Sequence, residues 1–80
     1  MKKFTLYGTN ACHLCELAHD MIATSQHIAL GHCIVQEVDI SESDVLFTRY
    51  GVTIPVLQHP DERELHWPFS AQQLHDFLAS

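Results

Sequence analysis

Lys3-Phe4-Thr5-Leu6-Tyr7 alternates polar and apolar side chains and is rich in aromatic and β-branched residues, the pattern of a β-strand. Gly8 to Ala11 reads as a short loop. Beyond it Leu14, Leu17, Ala18, Met21 and Ile22 recur at helical spacing, with Glu16 and Asp20 on the opposite side. Gly31 punctuates the exit, and Ile34 to Val38 (IVQEV) forms a second strand. This strand–helix–strand run constrains the chain more than any other feature. Two strands joined by a helical crossover pair in parallel, and the connection is right-handed.

The remainder fills out the sheet. Ser41 is placed to cap a second helix, with Asp44 as its capping-box partner and Gly51 as the C′ stop. Ile54 to Gln58 (IPVLQ) is a short third strand. His59-Pro60-Asp61-Glu62 suits a type I turn with proline second, and Glu64 to Trp67 returns as the other arm of a hairpin. Ser70 begins the last helix, with Gln73 as its capping-box partner. Phe69 and Leu74 fit a hydrophobic staple across that cap, and Leu74, Phe77 and Leu78 form a buried stripe. The predicted order is β-α-β-α-β-β-α, a four-stranded mixed sheet with three helices in a single domain over residues 1–80.

Composition narrows the function. A domain of 80 residues buries only about 60% of its unfolded surface. Its 46% hydrophobic and 18% charged residues still provide a core and argue against disorder. Four basic residues against ten acidic ones, a net charge of −6, exclude the clustered Lys and Arg that nucleic-acid backbones require. The apolar runs are too short to span a bilayer. The MKKFTLYGTN start loses its apolar character at Gly8 and shows no cleavage site, so we expect a cytoplasmic protein. Three cysteines, an odd number, do not read as a secreted disulfide scaffold.

The chemistry concentrates at Cys12-His13-Leu14-Cys15. Asn10 or Thr9 is the expected N-cap of the first helix, which puts Cys12 in its first turn and Cys15 one turn on. Free N–H groups and the dipole at a helix start favour a thiolate, and His13, if protonated, adds to the effect. One turn of helix brings the two sulfurs within bridging reach. Cys12 then attacks a disulfide, and Cys15 resolves the mixed disulfide. A CxxC closing the first strand of a βαβ unit is a redox signal. Two other readings stand beside it. Cys12, Cys15 and His19 are a conceivable metal set with one open position, and a shared iron–sulfur cluster is a more remote variant. Alternatively the cysteines are structural, as Cys33 at the edge of an apolar strand is expected to be.

The strand leading into CHLC resembles the thioredoxin fold. Tyr50-Gly51-Val52-Thr53-Ile54-Pro55-Val56-Leu57 resembles the segment before that fold's proline-bearing strand. The short length, the CHLC, the Arg49 to Leu57 segment and Trp67-Pro68-Phe69 are together similar to the small bacterial glutaredoxin-like family. The resemblance implies a thioredoxin-like (glutaredoxin-like) fold and a cis Ile54–Pro55 bond facing the cysteines. It also implies thiol-disulfide oxidoreductase activity with Cys12 and Cys15 catalytic. His13, Thr53, Ile54 and Pro55 are then the substrate-binding residues, the Ile54 backbone serving as a docking edge. No bound cofactor is implied, and glutathione is the implied reductant. The expected partner of this monomer is a thiol or disulfide substrate, protein or small molecule. A redox-inactive adaptor with the same fold is the remaining alternative. The chain departs from the glutaredoxin pattern where Thr9 replaces a lysine and where His13 and Leu14 replace proline and tyrosine. Trp67-Pro68-Phe69-Ser70 also stands in place of a Gly-Gly stretch.

Of the other residues, Trp67 and Phe69 are expected to pack as core or staple residues. Tyr7 is read either as reaching the site or as simple packing, and Asp39 is expected to cap the element that follows it.

Overall fold

Alternation along β1 (Lys2–Gly8) sends Phe4 and Leu6 to one face of a sheet and Thr5 and Tyr7 to the other. The computed structural model, which describes residues 2–80, builds a core on each face. Phe4 and Leu6 join Leu57 of the sheet beneath α1 (His13–Ala23) and α4 (Ala71–Ala79). Tyr7 and Val56 join Ile40 and Tyr50 beneath α3 (Asp44–Tyr50). The consecutive residues Val56 and Leu57 of β3 (Val56–Gln58) therefore serve opposite cores, as a period of two demands.

The sheet order is β2-β1-β3-β4, with β2 spanning Cys33–Asp39 and β4 spanning Glu64–His66. The β1–β2 pair is parallel, in register from Lys2 opposite Cys33 to Gly8 opposite Asp39. The β1–β3 and β3–β4 pairs are antiparallel. The four-stranded mixed sheet and its crossover match the sequence expectation.

Several details differ. A four-residue helix, α2 (Gln26–Ala29), interrupts the crossover, so four helices rather than three surround the sheet. It is too short to carry a periodic apolar pattern. The buried stripe of α1 is Cys15, Ala18 and Ile22, while Leu14 and Leu17 remain 45% and 39% exposed. Ala18 is fully buried on that stripe between Cys15 and Ile22, and the two leucines lie at its margin.

The second long helix starts later than expected. Asp39 ends β2, accepts the Ser41 N–H at 2.9 Å and caps a 3-10 turn at Ile40–Glu42. Ser41 is thereby consumed inside that turn, and Ser43 becomes the cap of α3, its Oγ accepting the Leu46 N–H. Asp44 consequently opens the helix rather than completing a box. Gly51 ends α3 with φ −53°, in the right-handed region and not the left-handed C′ conformation. Strand β3 begins at Val56, after Pro55, and β4 ends at His66, before the cis Trp67–Pro68 bond.

Other local expectations match. Pro60 occupies the second position of a turn closed by Glu62 N–H to His59 C=O at 2.9 Å. The Ser70–Gln73 capping box is complete, with bonds of 3.0 and 2.7 Å. Phe69 is buried with Leu74 in the larger core, and Trp67 meets Phe69 edge-on at 5.1 Å. Tyr7 stacks on Tyr50 at 4.4 Å and donates to Gln58, which is packing. Cys33 is 1% exposed.

Candidate functional site

The site forms where β1 hands the chain to α1. Ala11 adopts φ +60°, a left-handed conformation that costs a non-glycine residue about 1–2 kcal/mol. That turn sets Cys12, not Asn10 or Thr9, as the N-cap of α1. Cys12 is extended (φ −105°, ψ 108°), and its Sγ accepts the Cys15 N–H at 3.2 Å. The Cys12 sulfur thus takes the role that a serine or aspartate oxygen plays at most caps. Helix N–H groups point toward it, as a thiolate needs.

Cys15 sits differently. It is only 9% exposed and lies against the end of β1. A methyl group added at Gly8 would stand 3.1 Å from its Sγ, so glycine is the residue that lets strand and sulfur approach. Burial pushes the Cys15 thiol up to about 11, with the adjacent Cys12 sulfur adding and the Thr9 backbone opposing. The pair is therefore unequal: Cys12 is half-buried and hydrogen-bonded, while Cys15 is buried and held protonated.

Pro55 reaches the same end of the sheet. The β1–β3 ladder ends at Tyr7 opposite Val56, and the next residues are Gly8 on one strand and Pro55 on the other. The Ile54–Pro55 bond is cis, as the resemblance implied. Pro55 is buried, and its carbonyl accepts the Trp67 N–H at 3.3 Å. Ile54 is half-buried and Thr53 exposed. Both donate backbone N–H groups to the Tyr50 carbonyl, at 3.1 and 2.9 Å. A docking edge at Ile54 is thereby narrowed to its carbonyl.

His13 faces away into solvent, 80% exposed, with Glu16 its nearest charged partner at 3.8 Å. His19 pairs through its Nδ1 with Glu37 of β2. Among the described residues no three candidate ligands are already drawn together around one point. A groove of about 570 Å³ runs beside Cys15, bordered by Glu16, His19, Asp20, Glu37 and Asp39. Asp39 is held below the usual carboxylate range by its bonds from Ser41.

Gly8 and Ala11 were not singled out in the sequence. Gly8 sits at the strand end directly before the loop, which was its only local signal. The conformation of Ala11 left none.

A dithiol at a helix start, one strand end from a cis-proline, on a β2-β1-β3-β4 sheet, defines a thioredoxin-like fold. Two solved structures share it: the X-ray and solution structures of the Northeast Structural Genomics target protein XcR50 from X. campestris. The first is 37% identical, covers 95% of each chain and superposes with a TM-score of 0.77. The second is 38% identical, covers 99% of this chain and 94% of that one, and gives 0.79. The profile of the Glutaredoxin-like domain (DUF836) matches residues 3–79, and the chain belongs to that family. No curated protein matches it.

Proposed function

We propose that this protein is a thiol-disulfide oxidoreductase contributing to cell redox homeostasis. The inequality of its two sulfurs carries the reading. Cys12, capping α1, attacks a substrate disulfide R–S–S–R′. The S–S bond breaks, R′S⁻ leaves, and Cys12 is joined to R. Cys15 then loses its proton and attacks the Cys12 sulfur, releasing RS⁻ and forming the Cys12–Cys15 disulfide. The substrate gains two electrons, and the two protons of the dithiol pass to the released thiols. An external thiol, for which glutathione is proposed on the family resemblance, returns the pair to the reduced state.

Pro55 and the Ile54 carbonyl position the substrate, with Thr53 and His13 at the rim. The carboxylates beside Cys15 offer nothing to the acidic groups of glutathione. A cytoplasmic, monomeric protein is part of this reading. Among the described residues no helix is long and apolar enough to cross a membrane.

Cys12→Ser is expected to abolish reduction of a model disulfide. Cys15→Ser is expected to accumulate a mixed disulfide at Cys12, seen as a mass increase that dithiothreitol reverses. Full reductase activity in the Cys12→Ser variant would overturn the mechanism.

A further inference from the structure

Beside the dithiol, the ends of β1 and β2 and the first two turns of α1 enclose the groove of about 570 Å³. That volume lies within the span of pockets that hold ligands, about 300–1,000 Å³. All four residues of the loop Gly8 to Ala11 border it, and so does Cys15. Ala11 directly precedes Cys12, so a group joined to the Cys12 sulfur is one residue from the border.

The charges around the groove are of one sign. Glu16 and Asp20 border it from α1, and Glu37 and Asp39 from β2. The Ser41 N–H and hydroxyl hold Asp39 below the usual carboxylate range, so it keeps its charge. No lysine or arginine borders the groove among the described residues. Three of the four basic side chains are engaged elsewhere. Lys2 donates to the Ala79 and Ser80 carbonyls, Arg49 lies 3.8 Å from Glu64, and Arg63 pairs with Asp61 at 2.8 Å. His19 does border the groove, and its Nδ1 already meets Glu37.

We propose that this groove selects the substrate of the dithiol, and that the substrate is a disulfide on a basic peptide segment, with arginine or lysine beside its cysteine. The inference rests on the oxidoreductase reading above and adds the class of substrate. Carboxylates on a concave surface with low-dielectric walls focus a negative potential, which concentrates cations and speeds their association. The four carboxylates come from two elements, α1 and β2, and so match several cations along a chain rather than one ammonium group. Leu14, between the cysteines and 45% exposed, adds apolar contact without charge. Cys12 attacks the peptide disulfide, the S–S bond breaks, and the other sulfur leaves with the electron pair. Cys15 then releases the peptide as its thiol and closes the Cys12–Cys15 disulfide. The carboxylates hold the basic residues and transfer no electrons.

The test uses the reduced full chain and three capped tripeptides. Each ends in cysteine activated as a 2-pyridyl disulfide, preceded by two arginines, two glutamines or two glutamates. Release of pyridine-2-thione in a stopped-flow instrument gives the second-order rate constant. At about 10 mM ionic strength the arginine peptide should react about tenfold faster than the glutamine peptide, and the glutamate peptide about tenfold slower. At about 0.5 M salt the three rates should converge to within about threefold. Glu16→Gln with Asp20→Asn should cut the arginine-to-glutamine ratio by about threefold or more. Glu62→Gln with Asp76→Asn removes the same charge away from the groove and should leave that ratio within about 1.5-fold. Equal rates for the three peptides, or an equal loss of preference in both double variants, would overturn the proposal. A pyridyl disulfide of cysteamine that reacts as fast as the arginine peptide would overturn the peptide assignment. Equal rates with thione still released at Cys12 leave the dithiol reading standing, whereas no release from any peptide overturns that reading itself.

Discussion

In the proposed reaction, the burial of Cys15 makes the second step sensitive to pH in a calculable way. Cys15 is raised from an ordinary 9.0 to about 11, mainly by burial. Two units mean about a hundredfold fewer thiolates at any pH below 9. At pH 7.5 roughly one Cys15 in 3,000 is ionised, against about one in 30 for an ordinary thiol. When Cys12 is tied up in a mixed disulfide, its own contribution to the shift disappears but burial remains. Resolution is therefore expected to accelerate about tenfold per pH unit from pH 7 to pH 9, with no plateau. The assay loads Cys12 with a chromogenic aromatic thiol and follows its release in a stopped-flow instrument. The same burial acts on stability. Keeping Cys15 neutral stabilises the reduced protein fully below about pH 9, and that stabilisation is lost as pH climbs toward 11. The oxidised protein has no Cys15 proton to lose, so its melting temperature should fall less over this window. A release rate that is flat between pH 7 and pH 9 would refute the claim that burial controls Cys15.

Other perturbations separate the parts of the site and its supports. Gly8→Ala places a methyl group 3.1 Å from the Cys15 Sγ, so the sulfur must move by a few tenths of an ångström. The release step should slow by about two- to tenfold, while initial attack by Cys12, measured by loading rate, stays within about twofold. Ala11→Gly relieves a left-handed alanine at φ +60°. After the entropic cost of glycine, it should stabilise the fold by about 0.5–1 kcal/mol, a rise of roughly 2–8 °C in Tm, and an unchanged or lowered Tm would contradict the conformation assigned to Cys12's neighbour. Ser43→Ala should cost about 1 kcal/mol in urea unfolding and Ser41→Ala clearly less; the reverse order would return the α3 cap to Ser41.

How much of this was legible in the sequence depends on how far apart the interacting residues lie. The Ser70–Gln73 box was readable because both partners stand within one turn and nothing nearby competes. The α3 cap was not, because two serines were available and Asp39, at the end of β2, drew the first of them into a 3-10 turn. The short α2 carries too few residues to show a period. Burial of α1 was read from Leu14, Leu17, Ala18, Met21 and Ile22 at helical spacing; the structure keeps Ala18 and Ile22, adds Cys15 and leaves the two leucines at the margin. The cis bond at Pro55 came through the resemblance and not through local signals, since a proline at a strand start looks the same in either isomer.

The cysteines show the same division within one motif. Their spacing and position predicted a reactive pair, and the inequality of its two sulfurs is sharpened by residues outside CHLC. Gly8 admits Cys15 to the strand end, and Ala11 turns the chain so that Cys12 caps the helix. The histidines carry the argument further. Seven of them spread along the chain show no tract and no ligand spacing. Only the fold sorts them, giving four a carboxylate partner and leaving three together where α2, the turn before β2 and α4 meet. A side chain's chemistry is set by what the fold places beside it, so an unpaired imbalance of this kind is visible only after the tertiary contacts are known.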